Sequence, residues 1–209
     1  MALHVTHVTS VAIDKLRPTQ LSVGYREVAE KRAAWQAMKS RDRASYLDGH
    51  IVPVVVGPKG KFYVIDHHHL ARALEEAGHG HILAGTLANL STLALDEFWT
   101  VMEHRQWVFP IDANGVRHPY DAIPKHVEQL TDDPWRSLSG AVRRAGGYAK
   151  ESAPFEEFLW ADFLRRRINP ALLASDFDAA LAAAVPLSHS AAAAHLPGWS
   201  GAISAAGQG

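Results

Sequence analysis

Residues 53–78 read PVVVGPKGKFYVIDHHHLARALEEAG. Two runs rich in β-branched and aromatic residues flank a Gly-Pro-Lys-Gly turn, a spacing that predicts two closely paired strands over 53–66. Directly after them, Asp66 stands where an N-cap belongs. Leu70, Ala73, Leu74 and Ala77 then recur at helical spacing until Gly78 ends the run, predicting a helix over about 66–77. Strand, tight corner and helix N-terminus follow one another without a spare residue. Such a corner gathers the unpaired N–H groups of a first helical turn and the positive end of its dipole, and therefore suits an anion.

Outward from this stretch, residues 4–13 read as a strand, Val23–Met38 as an amphipathic helix, and Lys39–Arg43 as a charged hinge. Residues 81–91 predict another strand, 95–107 a helix with Asp96 near its start, and Asn114-Gly115 a tight turn. This mixture makes residues 1–120 an α/β (α+β) domain with a small mixed sheet. Residues 121–209 are Ala-rich and helical, with three helices in 133–148, 153–168 and 175–185 that begin near Pro134, Pro154 and Ser175. This segment is expected to pack on the first domain and to end in a loose tail from about residue 200.

The composition narrows the function classes. The 209 residues are 47% hydrophobic and 21% charged, the profile of a folded globular chain. Lys and Arg number 21 against 22 Asp and Glu, a net charge of −1, so no global basic field points to nucleic acid. Residues 120–209 carry eight basic and ten acidic side chains, which makes Arg143-Arg144 and Arg165-Arg166-Arg167 parts of a solvated, ion-paired face rather than a recognition helix. The absence of Cys excludes disulfides, thiolate nucleophiles, iron–sulfur clusters and Cys-type zinc sites. No basic leader or long apolar stretch is present, so a cytoplasmic, membrane-free protein is expected. Thirteen His residues are the unusual count.

Three of them, His67, His68 and His69, stand at the corner with Asp66 before and Arg72 after. Consecutive helical residues project about 100° apart, so the three rings cannot all serve one metal ion. Imidazole N–H groups and a guanidinium do suit a phosphate, with Arg72 on the His69 face. Two other readings stand beside this one: an Asp cap followed by solvent-facing histidines, or a metal site in which Asp66 and the outlying His50 take part. Thr19, Gln20, Gly24, Tyr25, Glu27 and Lys31 are candidates to line the opposite wall, with Lys31 meeting phosphate and Gly24 permitting close backbone approach. Glu27 and Lys31 equally suit an ordinary i,i+4 pair. For proton transfer the candidates are Asp66, His68 and Glu27.

Taken together, Leu16-Arg17-Pro18, the PVVV and KFYVID strands, and the Asp66–His69 corner continuing into Arg72 and Ala73 resemble the ParB/sulfiredoxin superfamily. The likeness covers about residues 10–110 and is greatest to its small stand-alone ParB-like members, catalogued as ParB-like nucleases. It implies a ParB/sulfiredoxin-like sheet with helices, and a corner that wraps a nucleotide phosphate. The corner is more similar to the Asp-Gly-His-His form of related free-serine kinases than to the Arg-rich form of ParB. Sulfiredoxin chemistry is excluded because it needs a Cys. Where the serine kinases place a Glu after the first-box Pro, this chain has Thr19-Gln20-Leu21, and a neutral Gln cannot take a proton. The triplet of the DHH phosphoesterases also occurs, but Asp14, Asp42 and Asp48 do not form that family's upstream Asp-x-Asp.

The resulting expectation is a phosphate-bearing ligand of the nucleotide class at this corner, with hydrolysis or phosphoryl transfer as the reaction and a divalent metal accompanying the nucleotide. The alternatives are a metal-dependent nuclease or phosphoesterase, and a non-catalytic partition-type interaction module.

Overall fold

A computed structural model describes Val5 and residues 7–201 of the chain, whose strands and helices divide between two units, 1–133 and 134–209. In the first unit the order is β1 (His7–Ala12), β2 (Leu16–Arg17), β3 (Ser22–Val23), α1 (Tyr25–Ala37) and α2 (Ser40–Asp48). There follow β4 (Val52–Gly57), β5 (Lys61–Val64), α3 (His68–Glu76), β6 (His81–Asn89), α4 (Leu95–His104) and β7 (Thr131–Asp132).

Five strands form a mixed sheet in the order β1-β6-β4-β5-β2, with β1·β6 and β4·β5 antiparallel and β6·β4 and β5·β2 parallel. The period-two geometry of a strand sends alternate side chains of the PVVV run to opposite faces. Val52, Val54 and Val64 enter one core with Leu70, Leu74, Val28 and Trp35 of α3 and α1. Val55 and Tyr63 enter the other with Phe98 and Met102 of α4. Burial on both faces explains why these strands are continuously apolar rather than alternating.

The second unit holds α5 (Pro134–Arg144), α6 (Glu156–Arg165), α7 (Pro170–Ser175) and α8 (Phe177–Ser188) around a core centred on Trp160, Leu138, Val142 and Leu164. Among the described residues no helix is long and apolar enough to cross a membrane.

Several expectations are corrected. The charged hinge expected at Lys39–Arg43 runs into α2, which buries no residue fully and so shows no apolar stripe; its Tyr46 and Leu47 lean on the core from outside. Residues 121–133, expected with the helical segment, belong to the first unit, because Thr131 and Asp132 of β7 pair in parallel with Ser22 and Val23 of β3. A fourth helix, α7, stands between the second and third helices expected in the second unit. The strand expected from residue 4 begins at His7 among the described residues, and the expected tail lies outside them beyond residue 201.

Glu156 is 2% exposed, and among the described residues only its Oε2 has a hydrogen-bond partner, the Glu151 N–H at 2.8 Å. Burial raises its pKa; the Glu151 N–H and Arg143 lower it, and the Glu157 and Glu151 charges raise it further. A carboxyl whose folded pKa is raised contributes its stability below the unfolded value, and that contribution is lost as pH rises through the folded value. Glu156→Gln is therefore expected to flatten the decline in stability of the second unit above about pH 4.3, the ordinary Glu value. Urea melts of the full chain from pH 4 to 8, followed by amide exchange in α5 and α6, measure this; an unchanged slope removes Glu156 as its source.

Candidate functional site

The corner between β5 and α3 is tighter than the sequence suggests. His67, not Asp66, occupies the cap position, with φ of 66°, and its N–H donates to Asp66 Oδ1 at 2.6 Å. A left-handed residue turns the chain from strand into helix in one step, leaving Asp66 exposed one residue ahead of the cap. His68 and His69 then point inward, at 4% and 7% exposure.

Each of these rings accepts a backbone N–H from the segment between β2 and α1. His68 Nε2 lies 3.2 Å from the Thr19 nitrogen, and His69 Nε2 lies 2.9 Å from the Gly24 nitrogen. In the neutral imidazole an accepting Nε2 leaves the proton on Nδ1. Burial supports that state at His68, where desolvation lowers the pKa to about 4 against the raising effects of Asp66 and the Val64 carbonyl. Thr19 Oγ1 closes the arrangement by donating to the same Val64 carbonyl at 2.6 Å. The two histidines are thus positioning residues that fasten one loop to another.

This fastening sets α1 beside α3. Gly24 meets His69, the Arg72 guanidinium lies 5.8 Å from the Tyr25 ring centre, and Arg32 bonds Glu76 at 2.8 Å, so the two helices advance in the same direction. Their N-termini share one end. Each carries about half a positive charge from its dipole, and in this arrangement the two ends reinforce rather than cancel. Asp132 answers part of that field by accepting the Tyr25 N–H at 2.8 Å, while Tyr25 Oη donates to the Leu130 carbonyl at 2.7 Å. Asp132 was not among the sequence candidates, since it arrives from more than a hundred residues away through the β3·β7 pairing.

The remaining candidates divide. Glu27 lies 3.6 Å from Lys31 Nζ as an i,i+4 pair and 3.7 Å from His69 Nε2, so it joins the corner with Lys31 beside it. His50 reaches it as well, its ring 6.4 Å from that of His67 and stacked at 4.0 Å on Tyr46, with Nδ1 2.7 Å from the Tyr46 carbonyl. Gln20 turns away: its side chain is buried and donates to the Ser22 carbonyl at 2.7 Å. Gly24 has φ of −77°, so its place reflects the bond to His69 and not a need for left-handed backbone.

Arg72 does not serve the N-terminal end as expected. Its Nη1 donates to Glu75 at 3.2 Å, and its Nε lies 3.1 Å from Glu76 without hydrogen-bond alignment. Two carboxylates one turn further on draw the guanidinium toward the C-terminal half of α3. Among the described residues no three His, Asp or Glu side chains gather as a metal site, so Asp66 and His50 do not make one by themselves.

The comparisons with known proteins fit this geometry. A crystal structure of protein Atu1540 from Agrobacterium tumefaciens is 53% identical, with a TM-score of 0.89, over 94% of this chain and 98% of that one. None of the curated proteins matches. The family described as "Putative ParB-like nuclease" matches residues 9–166, which takes in the whole corner, the β3·β7 pair and the first two helices of the second unit. With its mixed sheet and left-handed His corner, the chain belongs to this ParB-like family.

Proposed function

We propose that the end shared by α1 and α3 binds a phosphate-bearing ligand of the nucleotide class, and that the reaction there is hydrolysis or phosphoryl transfer. The observation that carries this reading is the pair of helices running in the same direction, their N-termini locked together by the Gly24–His69 hydrogen bond. Neutral His68 adds no charge of its own to that end, and His69 meets the Gly24 N–H through an accepting Nε2. Lys31 supplies the mobile cation and first-turn N–H groups the fixed donors, an arrangement that favours a phosphate oxygen. Glu27 and the exposed Asp66 are the carboxylates within reach to accept a proton or to meet a divalent ion carried in by the nucleotide.

The test is thermal unfolding of the full chain with ADP, ATP, CTP and GTP, each with and without magnesium. A ligand that binds only the folded state stabilises it by about 2.7 kcal/mol at a hundredfold excess over Kd. A shift of several degrees is expected for the wild type, reduced in Lys31→Ala and His67→Ala. No shift with any nucleotide, or equal shifts in both variants, overturns the reading.

The family name favours a second reading, cleavage of a nucleic-acid phosphodiester at the same helix ends. It predicts that a labelled oligonucleotide is cut while mononucleotides leave the melting temperature unchanged.

A further inference from the structure

The second unit has a pocket of about 540 Å³ at the C-terminal end of α6, within the range that holds small organic ligands. Phe163, 4% exposed, and the half-buried Leu196 make its apolar wall, and Leu159 extends that wall outward at 45% exposure. Arg166, Arg167 and His195 line the same opening.

The charges there exceed what the helix end requires. A helix C-terminus carries about half a negative charge, which one cation satisfies. Arg167 is that cation: its Nη1 donates to the Phe163 carbonyl at 3.1 Å, and its guanidinium lies 3.9 Å over the Phe163 ring. Arg165 pairs with Asp162, which neutralises the one carboxylate among the described lining residues. Arg166 is exposed at the cap position of α6 and has no ion-pair partner among the described residues. A surplus of positive charge therefore stands beside an exposed leucine and a rigid aromatic wall. The His195 ring, 6.4 Å from that of Phe163, adds a polar group on the same side.

We propose that this pocket binds a small amphipathic anion, with a carboxylate or phosphate head between Arg166 and Arg167 and an apolar body along Leu159, Phe163 and Leu196. Arg167 is held in place by its carbonyl and ring contacts before any ligand arrives, so little side-chain ordering opposes binding. A surface that merely balanced the helix dipole would need neither the unpaired Arg166 nor the exposed Leu159. This site uses no residue of the α1–α3 corner and stands whether or not that corner takes a nucleotide.

The test is a titration of the full-length protein with 4-phenylbutyrate and with phenethyl phosphate, followed by ¹H–¹⁵N chemical shifts. The neutral 4-phenylbutanol and inorganic phosphate serve as controls. Saturable shifts at residues 159–167 and 195–196 are expected with either amphipathic anion, and their relative affinities show which head group is preferred. Arg166→Ala and Leu159→Ser, both at exposed positions, are each expected to weaken binding about tenfold, the effect of losing one head-group or body contact. Lys31→Ala should leave the titration unchanged. The proposal is overturned if neither anion gives saturable shifts, if phenylbutanol binds as well as phenylbutyrate, or if Arg166→Ala has no effect. Equal binding of inorganic phosphate also overturns it, since that marks a bare charge site.

Discussion

Replacing His68 by alanine is expected to remove roughly 3–4 kcal/mol of stability from the first unit, through the emptied space and the unpaired Thr19 N–H. The ring is 4% exposed and fixes the β2–α1 loop against α3, so the loss reaches the helix end that gathers the proposed ligand. His68→Gln separates two effects that the alanine variant mixes. A glutamine Oε1 can accept the Thr19 N–H in place of Nε2, and this variant is expected to lose less than about 2 kcal/mol. It cannot titrate. With a folded pKa of about 4 and an ordinary value near 6.5, the wild-type ring binds its proton more weakly in the folded state. The stability it contributes is complete above about pH 6.5 and is lost as pH falls toward 4, by roughly 3 kcal/mol over the whole window. Urea melts at pH 7.5 and pH 4.5, with exchange of the α3 and β6 amides as readout, should show this acid limb in the wild type and a flatter one in His68→Gln. An equally steep limb in both proteins places the titrating group elsewhere.

How far the sequence foretold this corner follows from how local each signal is. The paired strands, the Lys59-Gly60 turn and the apolar stripe of α3 rest on neighbouring residues, and all three lie close to their expected places. The cap was misplaced by one residue because Asp66 resembles an N-cap in sequence, whereas the left-handed turn at His67 is set by the distance from strand to helix. The reach of Arg72 depended on competition: Glu75 and Glu76 were visible at helical spacing, yet only geometry shows that they prevail over the corner. Asp132 could not be read, because nothing near residue 132 reports a pairing with Ser22 and Val23. Helix α7 is a different case. Asn169-Pro170 spells a start, and the Asn169 side chain does accept the Ala171 N–H at 2.9 Å, but six residues give too short a stripe for periodicity to register.

Long-range constraint is sharpest at Gly198, and Gly198→Ala is expected to destabilise the second unit by more than about 2 kcal/mol. A Cβ at this position would stand 1.9 Å from the Ala149 carbonyl oxygen, with φ at 72°. That contact cannot relax locally, because the Gly198 carbonyl accepts the Ala149 N–H at 2.8 Å. The neighbouring Pro197 carbonyl also accepts Trp160 Nε1–H at 2.8 Å. Trp160 is fully buried and stacks on Tyr148 at 4.2 Å, so a shift of residues 197–198 withdraws the partner of a buried indole at the centre of the core. Gly201→Ala is the matched control: its φ is 86°, but among the described residues no atom lies within 4 Å of the added Cβ. It should cost only the roughly 1–2 kcal/mol of a left-handed L-residue. The excess of Gly198→Ala over Gly201→Ala in urea melts measures the collision, and faster exchange of the Trp160 indole proton in the first variant alone locates it. Equal costs and equal exchange would mean that residues 197–198 yield without loading Trp160, and that the second unit's core does not depend on them.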